Sequence, residues 1–222
     1  MSQPKPHERV NDILFGPLER PALQWLAERM PRWVTPDVLT GIGVVGSLMT
    51  FAGYWASSAA AAFLWLASLG LIVNWFGDSL DGTLARYRHI ERPKFGFFID
   101  HTVDAVSETL VVFGLGLSPY VSFEVAAVAL IGYLLMSVLV YVRTYVTGEF
   151  RISYGRFGPT EVRVIIILFN AVLFFFGVRE VSLWFGDVSI YDFGIGALGV
   201  ALIAVFLVST TVEARRLARM GE

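Results

Sequence analysis

The chain of 222 residues has no cysteine and little charge, with Asp, Glu, Lys and Arg making up 16% of it against 55% hydrophobic residues. Without thiols there is no disulfide framework, thiolate zinc site or cysteine nucleophile, and the redox compartment is left open. So little charge beside so much apolar sequence excludes an ordinary soluble domain and indicates a membrane protein. A net charge of -2 excludes a globally basic nucleic-acid binder, so no nucleic-acid partner is expected. Residues 1–16 carry Lys5, His7, Glu8, Arg9 and Asp12 and lack a continuous apolar core, so no cleavable signal peptide is expected.

What the chain does have is long apolar runs. From Val38 to Gly77 there is no charged residue, which is enough for two membrane spans. Thr35-Pro36 is a helix start and Ser57-Ser58 marks the break, predicting spans over 37–56 and 60–78. Further spans are expected over Gly96–Leu117, Phe123–Val146, Thr160–Val178 and Ile190–Val212. Before them, Leu18, Ala22, Leu23, Leu26 and Met30 recur at helical spacing, with Glu19, Arg20, Gln24, Glu28 and Arg29 between them. The pattern predicts an amphipathic helix over Pro17–Met30, lying in the headgroup region. The expected fold is therefore all-α integral membrane, six transmembrane helices preceded by an interfacial helix. Its divisions are an N-terminal segment (1–34), a membrane domain (35–213) and a basic tail (214–222).

Every Lys and Arg except Arg179 falls on one expected side of the membrane. The positive-inside rule makes that side, with both termini, cytoplasmic. The compact chain suggests a bacterial inner membrane. The six tryptophans fall mostly near expected interfaces, where such rings are favoured. Gly41, Gly43 and Gly46, like Gly194, Gly196 and Gly199, read as close-packing positions on helices rather than as a phosphate loop.

Against this apolar background one stretch stands out. Asp78 and Asp81, then Asp100 and Asp104, form two pairs at spacings of three and four, each pair on one helix face. Gly82, Ala85 and Arg86 follow the first pair, and Gly96 precedes the second. At the centre of a membrane helix an Asp costs about 3 kcal/mol, so four unpaired would cost on the order of 10 kcal/mol. Hard divalent cations such as Mg²⁺, Mn²⁺ or Ca²⁺ suit carboxylate oxygens. Two such ions form the clamp used in phosphoryl transfer. Helix capping by interfacial acids is the plain alternative, and a divalent-cation transporter or non-catalytic membrane protein is the alternative of another class.

Together the residues read D-x2-D-G-x2-A-R-x9-G-x3-D-x3-D. With each residue type at roughly 6%, eight fixed positions coincide by chance on the order of 10⁻¹⁰ per starting point. The pattern resembles the signature of the CDP-alcohol phosphotransferase family, whose commoner gap before the glycine is eight. The resemblance implies a homodimeric membrane enzyme that takes a CDP-alcohol donor and an alcohol acceptor and releases CMP. It implies that Asp78, Asp81, Asp100 and Asp104 carry two Mg²⁺ or Mn²⁺ ions, with Asp104 as base. Gly82, Ala85 and Arg86 are then expected at the nucleotide. Asn74, one turn before Asp78, and Asp37, in a stretch resembling the P-N-x-x-T opening of the first span, are softer candidates for the same role.

Asp100-His101-Thr102-Val103-Asp104 is similar to the D-H-G-x-D of choline and ethanolamine phosphotransferases, and Tyr145–Arg163 resembles a further segment of those enzymes. That tilts the expectation to CDP-ethanolamine or CDP-choline with a lipid alcohol such as diacylglycerol, and makes His101 a second candidate base. The alternative is CDP-diacylglycerol with a polar alcohol such as glycerol phosphate, inositol phosphate or serine. Arg143, Glu161 and Arg163 are candidates for contact with phosphate or substrate.

Overall fold

The structure is a computed structural model that describes residues 14–147, 158–178, 180–183 and 186–220. The charged first residues, the stretch 148–157 with Arg151 and Arg156, and Arg179 lie outside them. In chain order the elements are α1 (Gly16–Arg29), α2 (Pro36–Ala56), α3 (Phe63–Tyr87), α4 (Pro93–Gly116) and α5 (Phe123–Thr147). Then come α6 (Pro159–Phe176), β1 (Glu180–Leu183), β2 (Gly186–Ser189) and α7 (Ile190–Met220). The fold is an all-α integral membrane fold: among the described residues, α2, α3, α5, α6 and α7 are long and apolar enough to cross a membrane. At 24 residues α4 matches their length, and what sets it apart is the acid stripe of Asp100, Asp104 and Glu108.

Proline opens α2, α4 and α6, where its missing N–H would have had no partner in the helix. At α2 the Thr35 hydroxyl also accepts the Val38 N–H at 3.3 Å. The helices run past several expected ends. Helix α3 continues to Tyr87, so Asp78 through Arg86 is helical throughout, and α7 continues to Met220, through most of the expected tail. Between α6 and α7 lies an antiparallel hairpin, with Glu180 opposite Ser189 and Val181 opposite Val188. It is unanticipated, because four-residue strands carry too little pattern to separate from a loop.

At the centre, α2 and α3 touch backbone to backbone. A Cβ on Gly46 would stand 2.3 Å from Asn74 N, and one on Gly77 would stand 2.3 Å from Gly43 N. Such a contact leaves no room for a side chain and brings the two helices into a shared face. Thr50 reinforces it with hydrogen bonds to the Gly46 and Ala67 carbonyls at 3.0 and 3.2 Å. Gly43, Gly46 and Gly199 thus match their expected packing role, whereas Gly41 and Gly194 face open space. Helix α6 joins through a buried polar chain: Tyr54 donates to Asn170 Oδ1 at 2.7 Å, and Asn170 donates to Ser68 Oγ at 3.1 Å.

Helix α1 differs from its expectation. Its inward face is Leu23 and Ala27, with Leu26 and Met30 partly buried, packed on Leu39, Leu80 and Leu84. Leu18 is exposed, in line with Leu14 and Trp25 on an uncovered apolar ridge, while Glu19 faces inward. The helix therefore has two apolar stripes, and a single stripe drawn through Leu18 and Leu23 merges them.

The glycine contact yields a direct test. Gly77→Ala should destabilise the protein by about 1–3 kcal/mol through forced separation of α2 and α3. Gly41→Ala, in open space, should be neutral or slightly stabilising because alanine is the better helix former. Thermal unfolding of both variants in detergent checks this; equal midpoints would remove the backbone contact as the determinant.

Candidate functional site

The α2–α3 contact opens at one end into a pocket that α4 completes. Thr40 and Gly43 line it from α2, Asn74, Asp78 and Asp81 from α3, and Asp100, Val103, Asp104 and Ser107 from α4. Helical spacing explains the set: 74, 78 and 81 share one face of α3, and 100, 103, 104 and 107 share one face of α4. All four motif aspartates thus meet in one place.

Each α3 acid is held by a neighbour. Thr40 donates to Asp81 Oδ2 at 2.6 Å, and the Gly82 amide donates to Asp81 Oδ1. Arg163, from the first turn of α6, donates through Nη2 to Asp78 Oδ2 at 2.6 Å and through Nε to Asn74 Oδ1 at 2.9 Å. Asn74 is itself fixed, since its Nδ2 donates to the Gly43 carbonyl and to Ser47 Oγ, both at 3.0 Å. The charge of Arg163 also reaches Asp104 and Glu108. One guanidinium against this many carboxylates leaves the pocket strongly anionic.

On α4, His101 stacks on Tyr141 of α5 with ring centroids 4.9 Å apart and meets Phe97 edge-on at 4.2 Å. Its Nδ1 lies 3.9 Å from Asp100 Oδ2. Asp100, His101 and Asp104 can each turn a ligand atom into a group within 4.8 Å of one another. These donors, with the other two carboxylates, fit a hard divalent cation in both chemistry and net charge.

Other sequence candidates are placed elsewhere. Asp37 pairs with Arg92 at the start of α2, both largely exposed, and does not line the pocket. Arg143 lies 3.7 Å from Glu213 of α7. Glu161 is 2% exposed, and its two oxygens accept the Phe15 and Gly158 amides at 2.8 and 2.9 Å. That makes Glu161 a helix cap and α1 anchor rather than a substrate contact. Arg86 bonds Thr83 at 3.1 Å and lies along Gly82, whose Cβ would stand 3.3 Å from Arg86 Nη1. Gly82 is therefore small for the arginine of its own helix, and Ala85 lies on the turn between Gly82 and Arg86.

Sequence reasoning passed over Thr40, Gly43, Ser47, Ser107 and Tyr141 as site residues. Thr40 alone carried a signal, since it ends the stretch from Thr35 that resembles the family's first-span opening. The others are small or aromatic residues inside apolar helices, where nothing separates a pocket wall from a packing position.

Comparison with known proteins agrees with this geometry. The model of the CDP-alcohol phosphatidyltransferase family matches residues 33–204. Cholinephosphotransferase 1 of Danio rerio is 31% identical over 183 residues, covering 77% of this chain and 45% of its own length. Archaetidylinositol phosphate synthase of Pyrococcus horikoshii is 34% identical over 143 residues, covering 63% of this chain and 72% of its own. The chain spans about half the length of the cholinephosphotransferases of Danio rerio and Gallus gallus. The crystal structure of phosphatidylinositol phosphate synthase from Mycobacterium tuberculosis with CDP-DAG bound aligns over 87% of this chain and 90% of its own. Its TM-score is 0.54 at 23% identity, which speaks to the fold. With the motif, the pocket and a family match across most of its length, this chain belongs to the CDP-alcohol phosphatidyltransferase family.

Proposed function

We propose that the protein transfers a phospho-alcohol group from a CDP-alcohol, preferably CDP-ethanolamine or CDP-choline, to the hydroxyl of a lipid alcohol such as diacylglycerol. CMP is released, and the product enters phospholipid biosynthesis. The observation that carries this reading is the convergence of the four motif aspartates from two helices on one pocket. Asp78, Asp81, Asp100 and Asp104 would hold two Mg²⁺ or Mn²⁺ ions. Bound there, such ions supply positive charge to pyrophosphate oxygens as the leaving group departs.

The chain's own residues prepare that site. Thr40 fixes Asp81 and Arg163 fixes Asp78, so two carboxylates are oriented before any ligand arrives. The acceptor hydroxyl oxygen bonds to the distal phosphorus, the bond from that phosphorus to the CMP oxygen breaks, and Asp104 takes the hydroxyl proton. His101, stacked on Tyr141 at the same wall, is the alternative base. Asn74 would meet the nucleotide at the pocket wall, Gly82, Ala85 and Arg86 would meet it farther along α3, and Arg163 would be the basic group offered to the phosphates. The active end opens to the cytoplasm of a bacterial inner membrane, and the enzyme works as a homodimer among membrane lipids.

Similarity to cholinephosphotransferases and the Asp100-His101-Thr102-Val103-Asp104 run support the aminoalcohol donor. Similarity to archaetidylinositol phosphate synthase favours a second reading, CDP-diacylglycerol with a polar alcohol acceptor. The two differ in which substrate carries the lipid and share the phosphorus chemistry.

Purified protein with Mg²⁺ or Mn²⁺ should release CMP from CDP-choline or CDP-ethanolamine when diacylglycerol is present. Release from CDP-diacylglycerol alone, with a polar alcohol, would reverse the substrate assignment and keep the mechanism. Asp81→Asn and Asp100→Asn should each abolish release while eluting as folded protein in detergent; full activity in either would end the dimetal reading. Asp104→Asn should cost at least about 100-fold in kcat, the usual scale of a lost general base, and His101→Gln less than tenfold. The reverse order would move the base to His101.

A further inference from the structure

Helix α1 lies outside residues 33–204 matched by the family model, yet it is bonded into the wall of the pocket. Glu19 Oε1 accepts the Trp75 Nε1–H at 2.7 Å and the Thr160 hydroxyl at 2.7 Å. Trp75 follows Asn74 on α3, and Thr160 stands three residues before Arg163 on α6. Asn74 and Asp78 are the two groups that Arg163 holds. The same pair of helices is thus joined twice, by Arg163 directly and by Glu19 through α1. Phe15 adds a third tie, its N–H donating to the Glu161 carboxylate that caps α6. A carboxylate turned toward a protein interior costs free energy unless it is hydrogen-bonded, and Glu19 has both partners where the helices meet.

We propose that Glu19 is a positioning residue for the metal-binding acids. It fixes the first turn of α6 against α3, so that the Arg163 guanidinium meets Asp78 and Asn74 in a single geometry. Arg163 Nη1 is buried with no hydrogen-bond partner among the described residues, so the bonds described there do not by themselves lock the guanidinium. Where it sits depends on where α6 places it. A displaced guanidinium can turn two of its nitrogens onto the Asp78 carboxylate, the bidentate mode arginine favours, and so compete with a cation for those oxygens. This inference rests on the reading of the pocket as a divalent-cation site.

The test is Mn²⁺ titration of the purified full-length chain in detergent, without donor, followed by electron paramagnetic resonance. Glu19→Ala should raise the Mn²⁺ Kd about three- to tenfold, in the lower part of the range of coupling between residues in one bonded network. Glu19→Gln keeps an oxygen that accepts the same two bonds and should hold the parental Kd. In an Arg163→Lys background, where the fork to be positioned is gone, Glu19→Ala should change Kd by less than about 1.5-fold. Amide exchange at Val162, whose N–H bonds the Gly158 carbonyl at the start of α6, and at the residues just after it should quicken in Glu19→Ala and not in Glu19→Gln. An equal effect in both backgrounds, an unchanged Kd, or unchanged exchange would overturn the positioning role. If Asp81→Asn removes Mn²⁺ binding while the cycle is additive, the positioning role alone falls. If the parent binds no Mn²⁺, the metal reading falls and takes this inference with it.

Discussion

Backbone contact between α2 and α3 is the constraint on which the rest depends. Gly46 and Gly77 allow the two helices to approach until an added Cβ would overlap the facing backbone. At that distance Thr40 of α2 reaches Asp81 of α3, and Asn74 reaches the Gly43 carbonyl. The pocket is the opening at the end of this contact, closed by α4. In an apolar surround, burying more hydrophobic area does little to hold helices together, since lipid tails offer the same surroundings. Close packing of small residues and interhelical hydrogen bonds must therefore set the geometry, and both are concentrated here.

That geometry gathers charge of one sign. Asp78, Asp81, Asp100 and Asp104 face a single opening, and Arg163 is paired with Asp78. The excess negative charge would repel in a site kept partly out of water, and a bound divalent cation would offset it. The same excess explains why the acids are individually tied down. Thr40 and the Gly82 amide hold Asp81, and Arg163 holds Asp78.

Much of this was legible in the sequence. The charge-free run from Val38 to Gly77 gave α2 and most of α3, and Pro36 marks a helix start that the structure keeps. The aspartate spacing gave the site, because i, i+3 and i, i+4 relations are local to one helix. What was not legible involves partners far apart in the chain. Thr40 and Asp81 are 41 positions apart, Asp78 and Arg163 are 85, and Glu19 and Thr160 are 141. Glu161 reads as a substrate contact from its place beside Arg163, yet about half a turn of helix separates them and points it at backbone amides instead. Arg143 reads likewise, and Glu213 meets it from α7. Local pattern fixes which face a residue takes and leaves open what stands opposite.

The inward position of Glu19 on α1, unexpected from the sequence, has the same origin. Leu14, Leu18 and Trp25 form one apolar ridge, and Leu23, Leu26, Ala27 and Met30 form another on the opposite side. A membrane-surface helix needs one apolar face, and a helix that also packs on a protein needs two. The deciding residue is Glu19, polar and yet on the inward side with Leu23 and Leu26. On a helix that met only lipid, a carboxylate there would be misplaced; with Trp75 and Thr160 as donors it becomes the point where α1, α3 and α6 are joined. Polar residues on the apolar side of an amphipathic pattern are therefore the informative ones in this chain, because each must have a partner, and in Glu19, Asn74, Asn170 and Arg163 that partner lies on another helix.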